Sequence, residues 1–415
     1  VYEVPPLSLP EDGVSPLDSE AVRLFLERAR DANPDVHLDD EAMAAIDDIV
    51  TGLDGLPLAI ELAAARTRIL TPTALRDRLG DMLDMLGTAD RDVDERQRTL
   101  RGAISWSYDL LTDGQRGLLQ DLSVFRGGAS LDTIEAACGI DRDYFAWLEN
   151  LEALIDQSLV KRLEIGPDSR FILLEMIREF GAEQLDASGR ADEVRANHLA
   201  WFVGLAERAA SGILGLDQRT WLETLERERG NLQEAIHHAM DVGDTESASR
   251  LIYALWRFWH MRGPIAEGST AADRVLAMDG LTGRQRLRAL EARGGLGWWS
   301  GDMVEASRYY TDALDLARII GDDAEIVNAL YNLGLAMDYN DAGSGTAHLI
   351  EALEISEAND DALGIAKARW GLANAHQVTE DFPKAHEELL KAYDGFVAVD
   401  DAFMTHWTNR ELGII

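Results

Sequence analysis

Apolar residues recur at helical spacing along almost the whole chain. Residues 19–31 place Ala21, Val22, Leu24, Phe25, Leu26 and Ala29 on one stripe, with Ser19 as N-cap. Residues 40–51 predict a second helix with Ala44, Ile46 and Ile49 inward. A third follows Gly55. Pro57 stands in its first turn, where a missing N–H is harmless, and Leu58, Leu62 and Ala65 point inward. Thr71 caps a fourth helix that begins at Pro72, so residues 11–90 read as one small helical domain. Ahead of it, residues 1–10, "VYEVPPLSLP", read as one short strand ended by Pro5 and Pro6. A lone strand needs a sheet, and the chain offers none, so a sheet upstream is expected.

The period changes after a charged connector at 91–98. Helices are predicted near 99–110, 113–123, 130–138 and 143–156, the second with a capping box from Thr112 and Gln115. Two extended runs follow, "SLVKRLEI" and "RFILLE", joined by a turn at Gly166 and Pro167, and helix resumes at Met176. Helices followed by a two-stranded hairpin give the winged-helix order over 99–186. In such a domain the helix before the hairpin is the usual DNA reader. Here it is "DYFAWLENLEALIDQ", which has no Arg or Lys and carries Asp143, Glu149, Glu152 and Asp156. Base readout and phosphate contact both require donors. Nearby cations are limited to Lys161, Arg162 and Arg170. The expectation is a packing module, with Trp147, Leu148, Leu151, Leu154 and Ile155 largely covered.

From about 192 the chain is helix after helix, and it repeats. Asp302, Asp341 and Asp381 begin matching turns at spacings of 39 and 40 residues. "GDDA", "NDDA" and "VDDA" end at Ala324, Ala362 and Ala402, at spacings of 38 and 40, and Gly263 stands 39 before Asp302. This predicts three or four helix pairs between about 246 and 402, each burying its apolar face only by stacking on its neighbours. Small residues at the crossings, Ala306 and Ala385, allow close approach. Trp256, Phe258, Trp259, Trp298, Trp299 and Tyr331 read either as core or as the lining of a concave binding surface.

Composition narrows the function classes. The chain has 415 residues, 46% hydrophobic, enough for two or three cores. Its 75 acidic and 39 basic residues give a net charge of −36, which repels nucleic acid and anionic membranes. The single Cys138 excludes an intrachain disulfide and reads as a buried thiol. No signal peptide and no long apolar run is present, so a cytoplasmic protein is expected. Both ends read as cut from something longer. There is no phosphate-binding G-x-x-x-x-G-K-[ST] loop, and His237 and His238 diverge as helix neighbours, so neither a catalytic site nor a metal site is expected.

One segment carries more constraint than a helix start needs: "GLDGLPLAIELAAAR", residues 52–66. It resembles the GLPL motif of NB-ARC-type signalling ATPases, the STAND class. More specifically, it resembles the actinobacterial predicted-ATPase and LuxR-type transcriptional regulators. "RTLRGAISWSYDLLTDGQRGLLQDLSVFRGG", "LIDQSLVKR" and "RFILLEMIREFG" resemble that family's winged helix. "RERGNLQEAI" and the repeats resemble its tetratricopeptide-like sensor. The resemblance covers essentially the whole chain.

It implies a mainly α protein: the last strand of an NTPase core (1–10), a helical ARC-like domain (11–90), a winged helix (99–186), a helical lead-in (192–245) and TPR-like repeats (246–415). In the family the GLPL proline packs on the adenine, which here is Pro57, with Gly55, Leu56 and Leu58 shaping the turn. The residues alone favour reading Pro57 as a simple first-turn proline; the nucleotide-facing role is what the resemblance implies. Where plant and animal relatives carry Met-His-Asp, this chain has "LLE", so Leu174 cannot donate to a diphosphate and Glu175 is the one charged group left. The family's Walker motifs precede the point where this chain begins. ATP or ADP is therefore expected as cofactor of the intact protein only, and this stretch is expected not to turn over nucleotide.

The resulting expectation is a regulatory segment coupling nucleotide state to a protein or small-molecule effector on the repeats. It makes no nucleic-acid or membrane contact of its own, and a nucleotide-dependent oligomer is expected for the intact protein. A scaffold without nucleotide, and the regulatory region of an adenylate or guanylate cyclase, are the alternatives.

Overall fold

The computed structural model of the chain describes residues 7–10, 19–36, 38–78, 95–138, 144–165, 168–215 and 217–414. It divides into two compact units, Val1–His198 and Leu199–Ile415.

The first unit begins with α1 (Glu20–Ala32), α2 (Asp40–Gly52), α3 (Pro57–Ala65), a 3₁₀ turn at Arg66–Arg68, and α4 across 72–78. Ser19 caps α1 by accepting from the Val22 N–H, and Thr71 caps α4 through the Ala74 N–H. Phe25, Ile46, Ile49, Leu53, Ile60 and Leu75 form the core. The inward stripe of α2 is Ala42, Ala45, Ile46, Ile49 and Val50, so Ala44, expected inside, is exposed. Helix α3 is apolar on nearly every side and is buried on nearly every side, but Leu58 is only half-buried. The strand expected over 1–10 falls partly outside the described residues, and residues 7–10 carry no regular structure.

Helix α5 runs Glu95–Asp109, so the second half of the expected connector at 91–98 is already helical. There follow α6 (Asp113–Leu122), β1 (Ala129–Ser130), α7 (Leu131–Cys138), α8 (Tyr144–Asp156), β2 (Lys161–Ile165), β3 (Asp168–Ile172) and α9 (Glu175–Ser188). The capping box of Thr112 and Gln115 is present at α6. The sheet order is β1-β3-β2, all antiparallel. The expected hairpin turn at Gly166 and Pro167 lies outside the described residues. Strand β1, absent from the sequence expectation, is two residues long. It depends on Gly127 and Gly128, both at positive φ, and a Cβ on Gly128 would lie 2.3 Å from the Phe171 carbonyl oxygen.

Helix α10 (Ala191–Gly212) contains the division between units. The second unit continues with α11 (Gln218–Arg227) and α12 (Arg229–Asp241). Four helix pairs follow: α13 (Thr245–Met261) with α14 (Ile265–Leu276), α15 (Gly283–Ser300) with α16 (Met303–Ile320), α17 (Asp323–Asn340) with α18 (Thr346–Ala358), and α19 (Ala362–Val378) with α20 (Phe382–Ala398). Helix α21 (Ala402–Leu412) comes last.

Most corners share one device. A residue at positive φ ends one helix and the following Asp caps the next. Gly243–Asp244, Gly301–Asp302, Gly321–Asp322, Asp360–Asp361, Glu380–Asp381 and Asp400–Asp401 all do this. The recurrent acidic phrases of the sequence are these corners. Asp341 is the exception. It has extended φ and ψ at the end of α17, and α18 starts only at Thr346. The reason is packing: a Cβ on Gly345 would lie 1.9 Å from the Gly334 oxygen, so the two backbones touch where α18 begins.

Ala306 and Ala385 are fully buried. The aromatics divide. Phe258 and Trp259 are core, Trp259 lying on Gly268. Trp256 lies on Gly295, and Tyr310 on Gly294. Trp299 is exposed and stacks on His260 at 4.2 Å. Burial and the nearby Arg257 lower the His260 pKa to about 4, so the stack is between neutral rings.

Candidate functional site

The Gly55–Leu58 turn is built from both sides. Leu53 ends α2, Asp54 and Gly55 take positive φ of 52° and 65°, and Leu56 serves as N-cap of α3. Gly55 is required there, because a Cβ would lie 2.5 Å from the Leu7 carbonyl oxygen. The Leu7 N–H donates to the Gly55 carbonyl at 3.0 Å. Ser8 fixes the approaching segment: its carbonyl accepts from Ser19 Oγ at 2.7 Å, and its Oγ accepts from the Glu20 N–H at 3.0 Å. Leu56 and Leu58 are half-buried, and Pro57, the first residue of α3, is exposed. The turn therefore presents a rigid proline outward.

Glu175 opens α9 and is not joined to that turn by any hydrogen bond or ion pair among the described residues. Two bonds from Arg178, 3.1 and 2.7 Å, hold its carboxyl below the usual range, and Arg126 adds to this.

The winged-helix cations are all engaged within the chain. Lys161 lies 3.6 Å from Glu61 of α3, which also accepts from Arg28. Arg162 donates to Ser169 Oγ at 3.0 Å and to Glu164 at 2.7 Å. Arg170 is 4% exposed and donates to the carbonyls of Gly127 and Gly128 at 2.8 and 2.7 Å, holding the β1 turn.

On α8, Glu149 and Glu152 are exposed and Asp156 pairs with Arg68, while Asp143 lies outside the described residues. Only Leu151 and Leu154 of α8 are fully buried. Trp147, Leu148 and Ile155 are half-buried and Phe145 is 76% exposed, so this helix is less covered than its apolar pattern suggests. Its first turns project an aromatic edge in which Tyr144 stacks on Trp147.

Two residues that sequence reasoning passed over tie α8 to the helical domain. Arg66, 2% exposed, donates to Gln157 Oε1 at 2.8 Å and to the Ser107 carbonyl at 3.0 Å. Arg68 pairs with Asp156. Burial lowers Arg66 to about 10, still charged at neutral pH. The sequence signal was their place directly after the GLPL helix, but their partners stand 91 and 88 residues away.

Cys138 is half-buried, and burial together with Asp121 pushes its pKa up, which keeps it a thiol. Among the described residues, no cluster of three or more His, Cys, Asp or Glu could hold a metal, and no helix is long and apolar enough to cross a membrane.

Residues 111–186 match the winged helix-turn-helix domain family. Over 358 residues the chain is 33% identical to a Mycobacterium bovis protein whose name proposes an HTH-type transcriptional regulator, and equally to its Mycobacterium tuberculosis counterpart. The match covers 83% of this chain and 40% of each relative, so the chain spans well under half their length. It is 24% identical over 370 residues to the regulatory protein AfsR of Streptomyces griseus, covering 82% of this chain and 37% of that protein. Among solved structures, a STAND protein with a tetratricopeptide repeat sensor from Pyrococcus horikoshii matches at a TM-score of 0.37 and 14% identity, over 94% of this chain and 62% of that one. The chain is thus a mainly α protein, similar to bacterial regulators, whose residues 111–186 form a winged helix-turn-helix domain.

Proposed function

We propose that this chain is the regulatory segment of a signal-transduction ATPase that controls transcription. The Gly55–Leu58 turn faces the adenine of ATP or ADP held by a core outside these residues. The winged helix transmits movement rather than reading bases, and the repeats sense an effector. The observation that carries this reading is the engagement of Lys161, Arg162 and Arg170 within the chain, beside an α8 that presents carboxylates. A DNA-reading wing would leave such cations free for phosphates. The relatives' names support the regulatory role.

The test is fluorescence anisotropy of labelled duplex DNA titrated with the chain at physiological salt. No binding is expected. Sequence-specific binding that is lost in Lys161→Gln/Arg162→Gln would overturn the transmitting role and leave a DNA reader in its place. In a parallel assay the chain should not hydrolyse ATP, and turnover abolished by a point change within these residues would sink that expectation.

A further inference from the structure

Helices α13, α15, α17 and α19 are the first members of successive pairs. Tyr253, Glu291, Asn328 and Lys367 lie on them at intervals of 38, 37 and 39 residues, close to the repeat length. Tyr253 and Glu291 stand nine residues after their helix caps, Asp244 and Thr282, and Asn328 and Lys367 six after theirs, Asp322 and Asp361, so the row steps by one turn between α15 and α17 as it crosses four neighbouring helices. At its centre Asn328 Nδ2 donates to Glu291 Oε1 at 2.5 Å, joining α15 to α17. Arg257 stands one turn along α13 from Tyr253, and Tyr331 one turn along α17 from Asn328. Arg257 and Lys367 both act on the ionisation of Glu291, Glu291 acts on both, and Arg257 acts on Lys367, so the groups form one cluster.

The charge in this row is unbalanced. Three other arginines of the array meet two carboxylates each. Arg293 has Asp273 and Glu305, Arg284 has Asp322 and Glu325, and Arg369 has Glu357 and Glu388, all at 2.6 to 3.2 Å. Arg257 and Lys367 are half-buried, and among the described residues neither has a carboxylate at ion-pair distance. This holds in a chain with 75 carboxylates to 39 cations. Arg257 leans instead over the Trp256 ring. Burial lowers the pKa of both cations. The one acid at the centre, Glu291, is 5% exposed, and burial raises it to about 7, so it is only partly ionised at neutral pH. The carboxylates that act on them, Glu291 on both and Asp361 and Asp401 on Lys367, stand beyond ion-pair distance, so a bound anion would give each desolvated cation a direct ionic partner.

We propose that this row binds a small organic anion through a carboxylate or phosphate group, with Arg257 and Lys367 supplying the charge and Asn328, Tyr253 and Tyr331 the neutral hydrogen bonds. The field of a chain with net charge −36 disfavours an acidic polymer and tolerates a small ligand. The proposal rests on the sensor role of the repeats and names the chemistry of what they sense.

The test titrates the 415-residue chain with inorganic phosphate and with citrate, each against matched chloride at constant ionic strength, following tryptophan fluorescence. A saturable change is expected with at least one probe, and which one responds distinguishes phosphoryl from carboxylate ligands. Arg257→Gln/Lys367→Gln should weaken it by about tenfold or more, whereas Arg318→Gln, which breaks a surface pair with Glu351, should not. Absence of a saturable response, or a response the double variant leaves unchanged, would overturn the site.

Glu291→Gln gives a second readout should the double variant unfold. Tyr253 and Arg257 from α13, Tyr310 from α16, Glu325 and Asn328 from α17, and Lys367 from α19 face Glu291. Wild-type affinity should fall relative to Glu291→Gln as pH rises through about 7, because Glu291 gains charge beside the anion. The ratio of the two affinities cancels the probe's own titration, and a ratio independent of pH would count against the proposal. No DNA or nucleotide enters the experiment, so failure here would leave the regulatory reading standing.

Discussion

Arg66 in the helical domain and Arg293 in the repeats are almost equally hidden from water, at 2% and 7% exposure, and they are satisfied in opposite ways. Arg293 of α15 lies between Asp273 of α14 and Glu305 of α16, so one guanidinium ties three successive helices and is shared by two carboxylates. Arg66 meets neutral acceptors, the Gln157 carboxamide and the Ser107 carbonyl, and its Nε has no partner among the described residues. Removing Arg293 would leave two acids facing each other. Parting Arg66 from Gln157 strands no negative charge. The first arrangement suits a permanent joint, the second a joint that can open.

That contrast can be broken experimentally. Arg293→Met should have the largest effect, about 3 kcal/mol of lost stability, because the carboxylates lose their shared counter-charge. Chemical denaturation measures it, and a loss under about 1 kcal/mol would mean that the triad is ornamental. Ala306→Leu comes next. Ala306 backbone atoms lie 3.3 to 3.4 Å from where a Gly297 Cβ would stand, so the crossing has no spare room, and about 2 kcal/mol should be lost in a melt. No loss would show that the α15–α16 crossing yields. Arg66→Met should cost least, about 1 kcal/mol, since lost hydrogen bonds are offset by the relief of a desolvated charge. A cost matching that of Arg293→Met would remove the distinction between fixed and releasable joints.

Local devices were legible in the sequence. Ser19, Thr71 and the Thr112–Gln115 box cap their helices because each acts on an amide three residues away. The acidic phrases marked repeat corners for the same reason. What was not legible depends on distant partners. Strand β1 exists because Phe171 and Arg170 reach back about forty residues to it. Asp341 matched the other turns in sequence, yet the contact of Gly334 with Gly345 displaces the helix start. The helix expected to be packed, α8, shows its aromatic edge because helical period alone does not reveal which side has a neighbour. Of the candidate site, the turn at Gly55 and the helix start at Pro57 were legible. The reason for its glycine, the Leu7 carbonyl 48 residues earlier, was not.

The corners of the array carry a consequence for how it comes apart. At 243, 301 and 321 the left-handed residue is glycine, whereas at 360, 380 and 400 it is Asp, Glu and Asp. Each of these non-glycine corners costs about 1 kcal/mol of backbone strain. Each also sets one carboxylate directly beside the capping Asp that follows. In a quasi-one-dimensional array every unit leans only on its neighbours. Strain concentrated at one end therefore becomes a gradient of opening, and amide hydrogen exchange should reach Asp361, Asp381 and Asp401 before Asp244 and Asp302. That gradient has an electrostatic part and a conformational part. Raising ionic strength, which screens the adjacent carboxylates, should flatten it without abolishing it.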